Sequence, residues 1–252
     1  MANNRRFAII GGDMRQIRLA NALCESGEHV NLYGFRSDTP YLKLQPAQTL
    51  DDALCGATII VLPLPLSLEA GIINTPFSDD KVYINALLEK MTKNQILLGG
   101  KIDAQLKTLL DINNIYYVDY FLREELNVLN AIPTAEGGIS IALNETATTL
   151  NGNKCLVTGF GRIGKVLCKM LDGMGAKVCA CARSPEAFSW IDVYGYEKCN
   201  IAHLGDIINK YDIIFNTVPH IIITKEVLEK MSPDALVIDL ASKPGGVDYY
   251  FG

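Results

Sequence analysis

An α/β protein with two doubly wound parallel-sheet domains, the second a Rossmann dinucleotide-binding domain, is the fold class that three observations predict. Short apolar strands alternate with helix-spaced segments through both halves of the chain. A strand, a glycine-rich turn and a helix follow one another from Lys154 to Leu171. The 252 residues, 49% apolar and 20% charged, suffice for two cores. The spacing assigns 1–131 to a substrate-binding, flavodoxin- or Rossmann-like domain, and 132–252 to a linker helix followed by the dinucleotide-binding domain.

In the first half, the strand Phe7–Ile10 ends at Gly11-Gly12, and Met14, Ile17, Ala20, Leu23 and Cys24 mark one helix face up to Gly27. Further strands are expected at Val30–Tyr33, Ala57–Leu64, Gln95–Leu98 and Ile115–Val118. The turn Gly11-Gly12-Asp13-Met14-Arg15-Gln16 is not a second nucleotide loop, because Asp13 and Gln16 fill the later glycine positions and a carboxylate would face the pyrophosphate. Two readings stay open for it. One is a substrate site built from Gly12, Arg15 and Gln16 at the carboxyl end of the first strand; the other is a plain structural turn.

Between the halves, Pro133 and Thr134 precede Glu136-Gly137-Gly138 and an apolar-periodic run through Ile139, Ala142, Leu143 and Thr146. A helix starting here would expose its N-terminus to a substrate carboxylate. Equally, Thr134 would serve as the N-cap of a linker helix.

The turn Gly159-Phe160-Gly161-Arg162-Ile163-Gly164 carries the functional argument. The first glycine allows the tight turn, the second lets backbone approach a pyrophosphate, and the third lets helix pack on strand. Ile163, Val166, Leu167, Met170 and Leu171 continue it at helical spacing until Gly173 and Gly175 stop the helix before the strand Lys177–Ala182. About 20 residues past the first glycine, NAD-binding folds place an acid on the ribose. This chain reads Ala182-Arg183-Ser184-Pro185 there, which favours the 2′-phosphate of NADP; the bland alternative is a solvated Arg183 and a tolerant pocket. Two later strands end in Asn216-Thr217-Val218-Pro219 and Leu240-Ala241-Ser242-Lys243, which should border the nicotinamide. His220 follows without an identifiable orienting carboxylate.

The formal charge is −5 and neither half is basic, which argues against a nucleic-acid partner. No apolar run approaches the roughly 18 residues of a membrane span, and the N-terminus does not read as a signal peptide. The seven cysteines read as reduced core residues, with Cys179 and Cys181 on one strand face, and no metal site is expected.

Ile9-Ile10-Gly11-Gly12-Asp13-Met14-Arg15-Gln16, Asn130-Ala-Ile-Pro133-Thr134-Ala-Glu136-Gly137, the glycine turn with Ala182-Arg183-Ser184, and Leu240-Ala-Ser-Lys243-Pro-Gly-Gly246 together resemble the family of the dipicolinate synthase A (alpha) subunit along essentially the whole chain. The resemblance implies oxidation of dihydrodipicolinate to dipicolinate with NADP, in company with a flavoprotein-like B subunit, in the cytoplasm of the mother cell of a sporulating bacterium. It implies a dianionic substrate, for which Arg15, Lys101, Arg123 and Lys243 are the candidate cations, and Arg15, whose fork matches a carboxylate, the first of them. Gly12, Gln16 and Thr134 complete the expected substrate contacts. Since the product is aromatic, a modest carboxylate, Glu136 or Asp13, or a water would take the proton. Family members usually run several dozen residues past the Pro-Gly-Gly segment, whereas this sequence stops at Phe251-Gly252 and lacks the usual sixth strand. Two alternatives remain: a non-catalytic NADP-binding subunit that braces a catalytic partner, and an enzyme of the 2-hydroxy-acid dehydrogenase type. A homo-oligomer is left open.

Overall fold

The computed structural model describes residues 5–249, so the expectation about the chain's end at Phe251-Gly252 lies outside the described residues. The chain forms two compact units, Met1–Glu124 and Glu125–Gly252. The first contains β1 (Arg6–Ile10), α1 (Met14–Glu25), β2 (His29–Tyr33), α2 (Leu50–Leu54), β3 (Ile59–Val61), β4 (Ile72–Ile73), β5 (Val82–Tyr83), α3 (Ile84–Lys90), β6 (Ile96–Gly99), α4 (Ala104–Ile112) and β7 (Tyr116–Asp119). Its sheet is parallel in the order β2-β1-β3-β6-β7, which reverses direction between β1 and β3. Both faces are covered: Ala8 and Ile10 face one core with Ile60, Leu62 and Leu97, while Phe7 and Ile9 face another with Ile17 and Leu32. Burial on both sides explains why these strands read as unbroken apolar runs.

The third strand is shorter than the Ala57–Leu64 run suggests. Pro63 and Pro65 both lack an N–H for the ladder, so pairing stops and the chain turns away. It returns as the antiparallel pair β4–β5, which is too short for its apolar residues to stand out from loop in the sequence.

The helix α5 (Glu124–Glu145) starts on the last residue of the first unit and belongs otherwise to the second, which continues through β8 (Lys154–Thr158), α6 (Arg162–Gly173), β9 (Lys177–Ala182), α7 (Pro185–Tyr194), β10 (Glu197–Asn200), α8 (Leu204–Ile207), β11 (Ile213–Asn216), α9 (Lys225–Leu228) and β12 (Leu236–Asp239). The sheet is parallel, ordered β10-β9-β8-β11-β12, with its switch point between β8 and β11. Val157, Ala180 and Phe215 pack on one face with Leu167 and Ile139; Leu156, Cys179, Cys181 and Ile214 pack on the other with Leu204 and Ile208.

The helix expected to begin at Thr134 begins ten residues earlier, at Glu124, and Pro133 lies inside it. Thr134 does not cap anything: its hydroxyl donates to the Asn130 carbonyl one turn back at 3.1 Å, the bond of a mid-helix threonine. The helix runs through the proline because Ala131, Ala135, Ile139 and Ala142 bury one continuous stripe. The helix N-terminus expected to receive a substrate carboxylate is therefore absent at this position.

Among the described residues no helix is long and apolar enough to cross a membrane. Cys155, Cys168, Cys179 and Cys181 are buried, whereas Cys24 and Cys55 are exposed, contrary to a uniformly internal set. Burial pushes the Cys155 thiol up to about 12 and that of Cys179 up to about 11, so both stay protonated.

Candidate functional site

At the carboxyl end of β8 the backbone turns left-handed at Gly159, φ +89°, and its N–H donates to the Cys181 carbonyl of the neighbouring strand at 2.8 Å. A β-carbon on Gly159 would meet Thr217 Oγ1 at 2.6 Å, and one on Gly164 would collide with the Gly159 carbonyl. Around Gly161 a β-carbon would meet nothing. The first and third glycines are thus required by packing, and the second faces open space at the N-terminus of α6, where no side chain caps the helix. That is the cradle a pyrophosphate needs: helical N–H groups without a side-chain cap at the positive end of a helix dipole, with room for backbone approach.

The Phe160 side chain turns inward, packing edge-on against Tyr194 and Tyr196 at 5.9 and 6.3 Å between ring centroids, so only its backbone is available to a ligand. Arg162 is exposed at the first position of α6 and Ile163 half-buried behind it. Arg183 is exposed immediately past β9, with no acid in that position. Ser184 is the N-cap of α7: its Oγ accepts from Ala187 N at 3.2 Å, which leaves the hydroxyl proton to donate elsewhere.

Thr158, Asn216 and Asp239 are register neighbours at the ends of β8, β11 and β12, and their side chains form one chain of hydrogen bonds. Thr158 Oγ1 donates to Asn216 Oδ1 at 2.6 Å, and Asn216 Nδ2 donates to Asp239 Oδ1 at 2.7 Å and to the Val218 carbonyl at 3.0 Å. Val218 N donates back to Asn216 Oδ1 at 3.2 Å. The Asn216 amide, expected to touch ribose or carboxamide, is spent on its own sheet; its effect is to fix the Thr217-Val218 backbone beside Gly159. Asp239 in turn accepts from Ala241 N at 3.0 Å and Gly246 N at 2.8 Å, shaping the loop that holds Leu240, Ala241, Ser242 and Lys243. Ser242 and Lys243 are exposed on that loop, Lys243 before a cis peptide to Pro244, and Pro219 is exposed on the other. Thr158 and Asp239 escape a reading of the sequence, although each is the polar residue that closes an apolar strand.

In the first unit the carboxyl ends of β1, β3, β6 and β7 meet. Asp13 caps α1 and Gln16, largely buried, completes the cap by accepting through Oε1 from Asp13 N at 3.1 Å, so its oxygen serves the turn and only Nε2 is left to donate. Gly12, φ +107°, donates its N–H to the Asn74 carbonyl at 2.8 Å. Arg15 grips Asp13 through Nε and Nη2, at 3.0 and 2.8 Å, and Nη2 also donates to the Leu64 carbonyl. The bidentate edge expected to clamp a substrate is therefore taken by Asp13, and Nη1 is what remains to donate. Burial pushes the Asp13 carboxyl up, but the hydrogen bonds and charge of Arg15 outweigh it and leave Asp13 below the usual carboxylate range, which makes it a poor proton acceptor. Tyr120 donates to the Leu62 carbonyl at 2.8 Å, and burial pushes its hydroxyl well up. Arg123 follows a short 3-10 turn, Tyr120–Leu122, and Glu136 is exposed on α5. His220 is exposed on the loop after β11.

The chain is 30% identical over 260 residues to the A subunit of dipicolinate synthase from Bacillus subtilis (strain 168), an alignment covering 100% of this chain and 85% of that protein. The chain belongs to the family of dipicolinate synthase A subunits. The model of that family's N-terminal domain matches residues 6–121, and the model of the NAD-binding domain of D-isomer-specific 2-hydroxyacid dehydrogenases matches 134–243. The crystal structure of the family member from Bacillus halodurans superposes with TM-score 0.85 at 29% identity, covering 100% of this chain and 87% of that one. The structure of the Bacillus subtilis protein gives 0.84 at 29%, covering 100% and 85%. A transhydrogenase from Sinorhizobium meliloti, 16% identical with TM-score 0.62 over 96% and 81%, shares the fold. The second unit of this family member is a nicotinamide-dinucleotide domain of the dehydrogenase type, and an oxidoreductase role follows from it.

Proposed function

We propose that this chain oxidises dihydrodipicolinate to dipicolinate with NADP as hydride acceptor, together with the B subunit of dipicolinate synthase, in the mother-cell cytoplasm of a sporulating bacterium. The substrate rests on the full-length likeness to dipicolinate synthase A subunits, and the partner on that designation, which implies a companion. The observation that carries the cofactor reading is Arg183, standing where an acid would read the ribose of NAD, beside a glycine turn whose middle residue faces open space.

Bound NADP supplies the hydride acceptor, and the protein's part is positioning and exclusion of water. The first-turn N–H groups of α6 would hold the pyrophosphate, Arg183 and the Ser184 hydroxyl proton would meet the 2′-phosphate, and the backbone of Thr217-Val218 and Ala241-Ser242, fixed by Asn216 and Asp239, would line the nicotinamide side. Arg15 offers Nη1 to one substrate carboxylate. The oxidation would take a hydride from one ring carbon, which the cofactor's chemistry accepts, and a proton from another, and aromatisation of the ring would favour both. With Asp13 committed to Arg15, Glu136 is the carboxylate candidate left to take the proton.

An NADP-holding protein without chemistry of its own is the second reading, favoured by the engagement of Asp13 and Arg15 with each other. One set of measurements tests both. Calorimetry should find NADP bound more tightly than NAD, and Arg183→Ala should cost on the order of tenfold or more in NADP affinity while leaving NAD unchanged. Equal affinities in the parent protein would overturn the cofactor assignment. Formation of reduced cofactor with dihydrodipicolinate, measured in the absence and in the presence of the B subunit, with 2-hydroxy acids as controls, separates an enzyme from a brace.

A further inference from the structure

Lys101 is one of three described non-glycine residues with positive φ, at +63°, a conformation in which a β-carbon crowds its own backbone. Glycine would occupy that position without strain. The conformation is imposed from outside: Asp119, at the end of β7, accepts from the N–H groups of Lys101, Ile102 and Phe121 at 3.0, 2.9 and 2.9 Å. A residue held this way projects its side chain in a direction that ordinary backbone does not offer. The preceding Gly100 is packed so tightly that a β-carbon there would meet Leu64 Cβ at 2.7 Å and the Tyr120 ring and hydroxyl at 2.8 Å. Leu64 is the residue whose carbonyl takes Arg15 Nη2, so the Lys101 turn and the Arg15 guanidinium abut the same short segment after β3.

The charges in this corner are nearly cancelled. Arg15 is offset by Asp13, and Asp119 brings a second negative charge under the turn. A dianion therefore gains little from Arg15 by itself. The Lys101 ammonium, exposed, pairs with no described carboxylate.

We propose that Lys101 binds the second carboxylate of a dicarboxylate substrate whose first carboxylate rests on Arg15, and so sets the preference for two carboxylates over one. This inference rests on the dihydrodipicolinate reading above. The test is calorimetry on the full chain with dipicolinate and with picolinate, which keeps the ring nitrogen and a single carboxylate, comparing the parent protein with Lys101→Met and Lys101→Gly. Both variants should lose on the order of tenfold or more in dipicolinate affinity and change little toward picolinate. Lys101→Gly should melt no lower than the parent, because glycine relieves the left-handed strain, so its loss of binding cannot be laid to unfolding. Parent-like dipicolinate binding in both variants, or an equal loss for both ligands, overturns the assignment to Lys101 and leaves the functional reading standing. Failure of the parent protein to bind dipicolinate removes the reading and this inference together.

Discussion

The Asn216 side chain is bonded to Thr158 and Asp239, 58 and 23 positions away in sequence on the flanking strands, and to the Val218 backbone two residues on. Truncation to alanine would leave the fully buried Thr158 hydroxyl without its acceptor and strip Asp239 and the Val218 backbone of partners. We expect Asn216→Ala to cost about 3 kcal/mol by denaturant unfolding, since buried polar groups lose roughly 1–3 kcal/mol each when a partner is removed. NADP affinity should fall with it, through the displaced Thr217-Val218 backbone. The residue type and its place at a strand end were legible in the sequence; that its amide is consumed inside the sheet was not, because register across three strands decides it. The same limit applies to Arg15 and Gln16. Their nearness to Asp13 is plain in the sequence, yet only the closed cap shows that Gln16 is buried and that the guanidinium fork is already filled.

Within α5 two adjacent glycines have opposite surroundings. A β-carbon on Gly137 would meet nothing, whereas one on Gly138 would lie 2.7 Å from Leu240 Cδ1. Gly137→Ala should stabilise the protein by about 0.5–1 kcal/mol, the ordinary gain of alanine over glycine inside a helix, as a shift in thermal midpoint. Gly138→Ala should forfeit that gain by displacing Leu240, next to the loop expected to line the nicotinamide. The helix also shows where local signals mislead. Pro133 followed by Thr134 satisfies the usual rules for a helix start, but nine residues upstream already share the helix, and the buried alanines at 131, 135 and 142 override the proline's missing N–H. Strands fared better than helix ends: β1, β2, β6, β7 and β9 lie within a residue or two of their apolar runs, whereas the prolines cut β3 short and β10, Glu-Lys-Cys-Asn, has no apolar run to announce it.

Both units are doubly wound sheets whose first strand ends in a glycine turn, and the two turns diverge in what fills them. In the second unit the space around Gly161 is open; in the first, a β-carbon on Gly11 would meet the Asn74 carbonyl at 2.8 Å and Thr75 Cγ2 at 2.7 Å, because the segment entering and leaving β4 folds over the end of β1. Gly12 gives its N–H to that same carbonyl. Amide hydrogen exchange should accordingly show NADP slowing exchange at Gly159–Gly164 and around Thr217-Val218, with Gly11 and Gly12 unaffected; slowing confined to the first turn would reverse the assignment of the two units. The Asn74 carbonyl already holds the Gly12 N–H, one of the donors that an approaching diphosphate would need. If the open turn is the one that receives coenzyme, then each polypeptide, for all that it repeats one architecture twice, should take up a single equivalent of it.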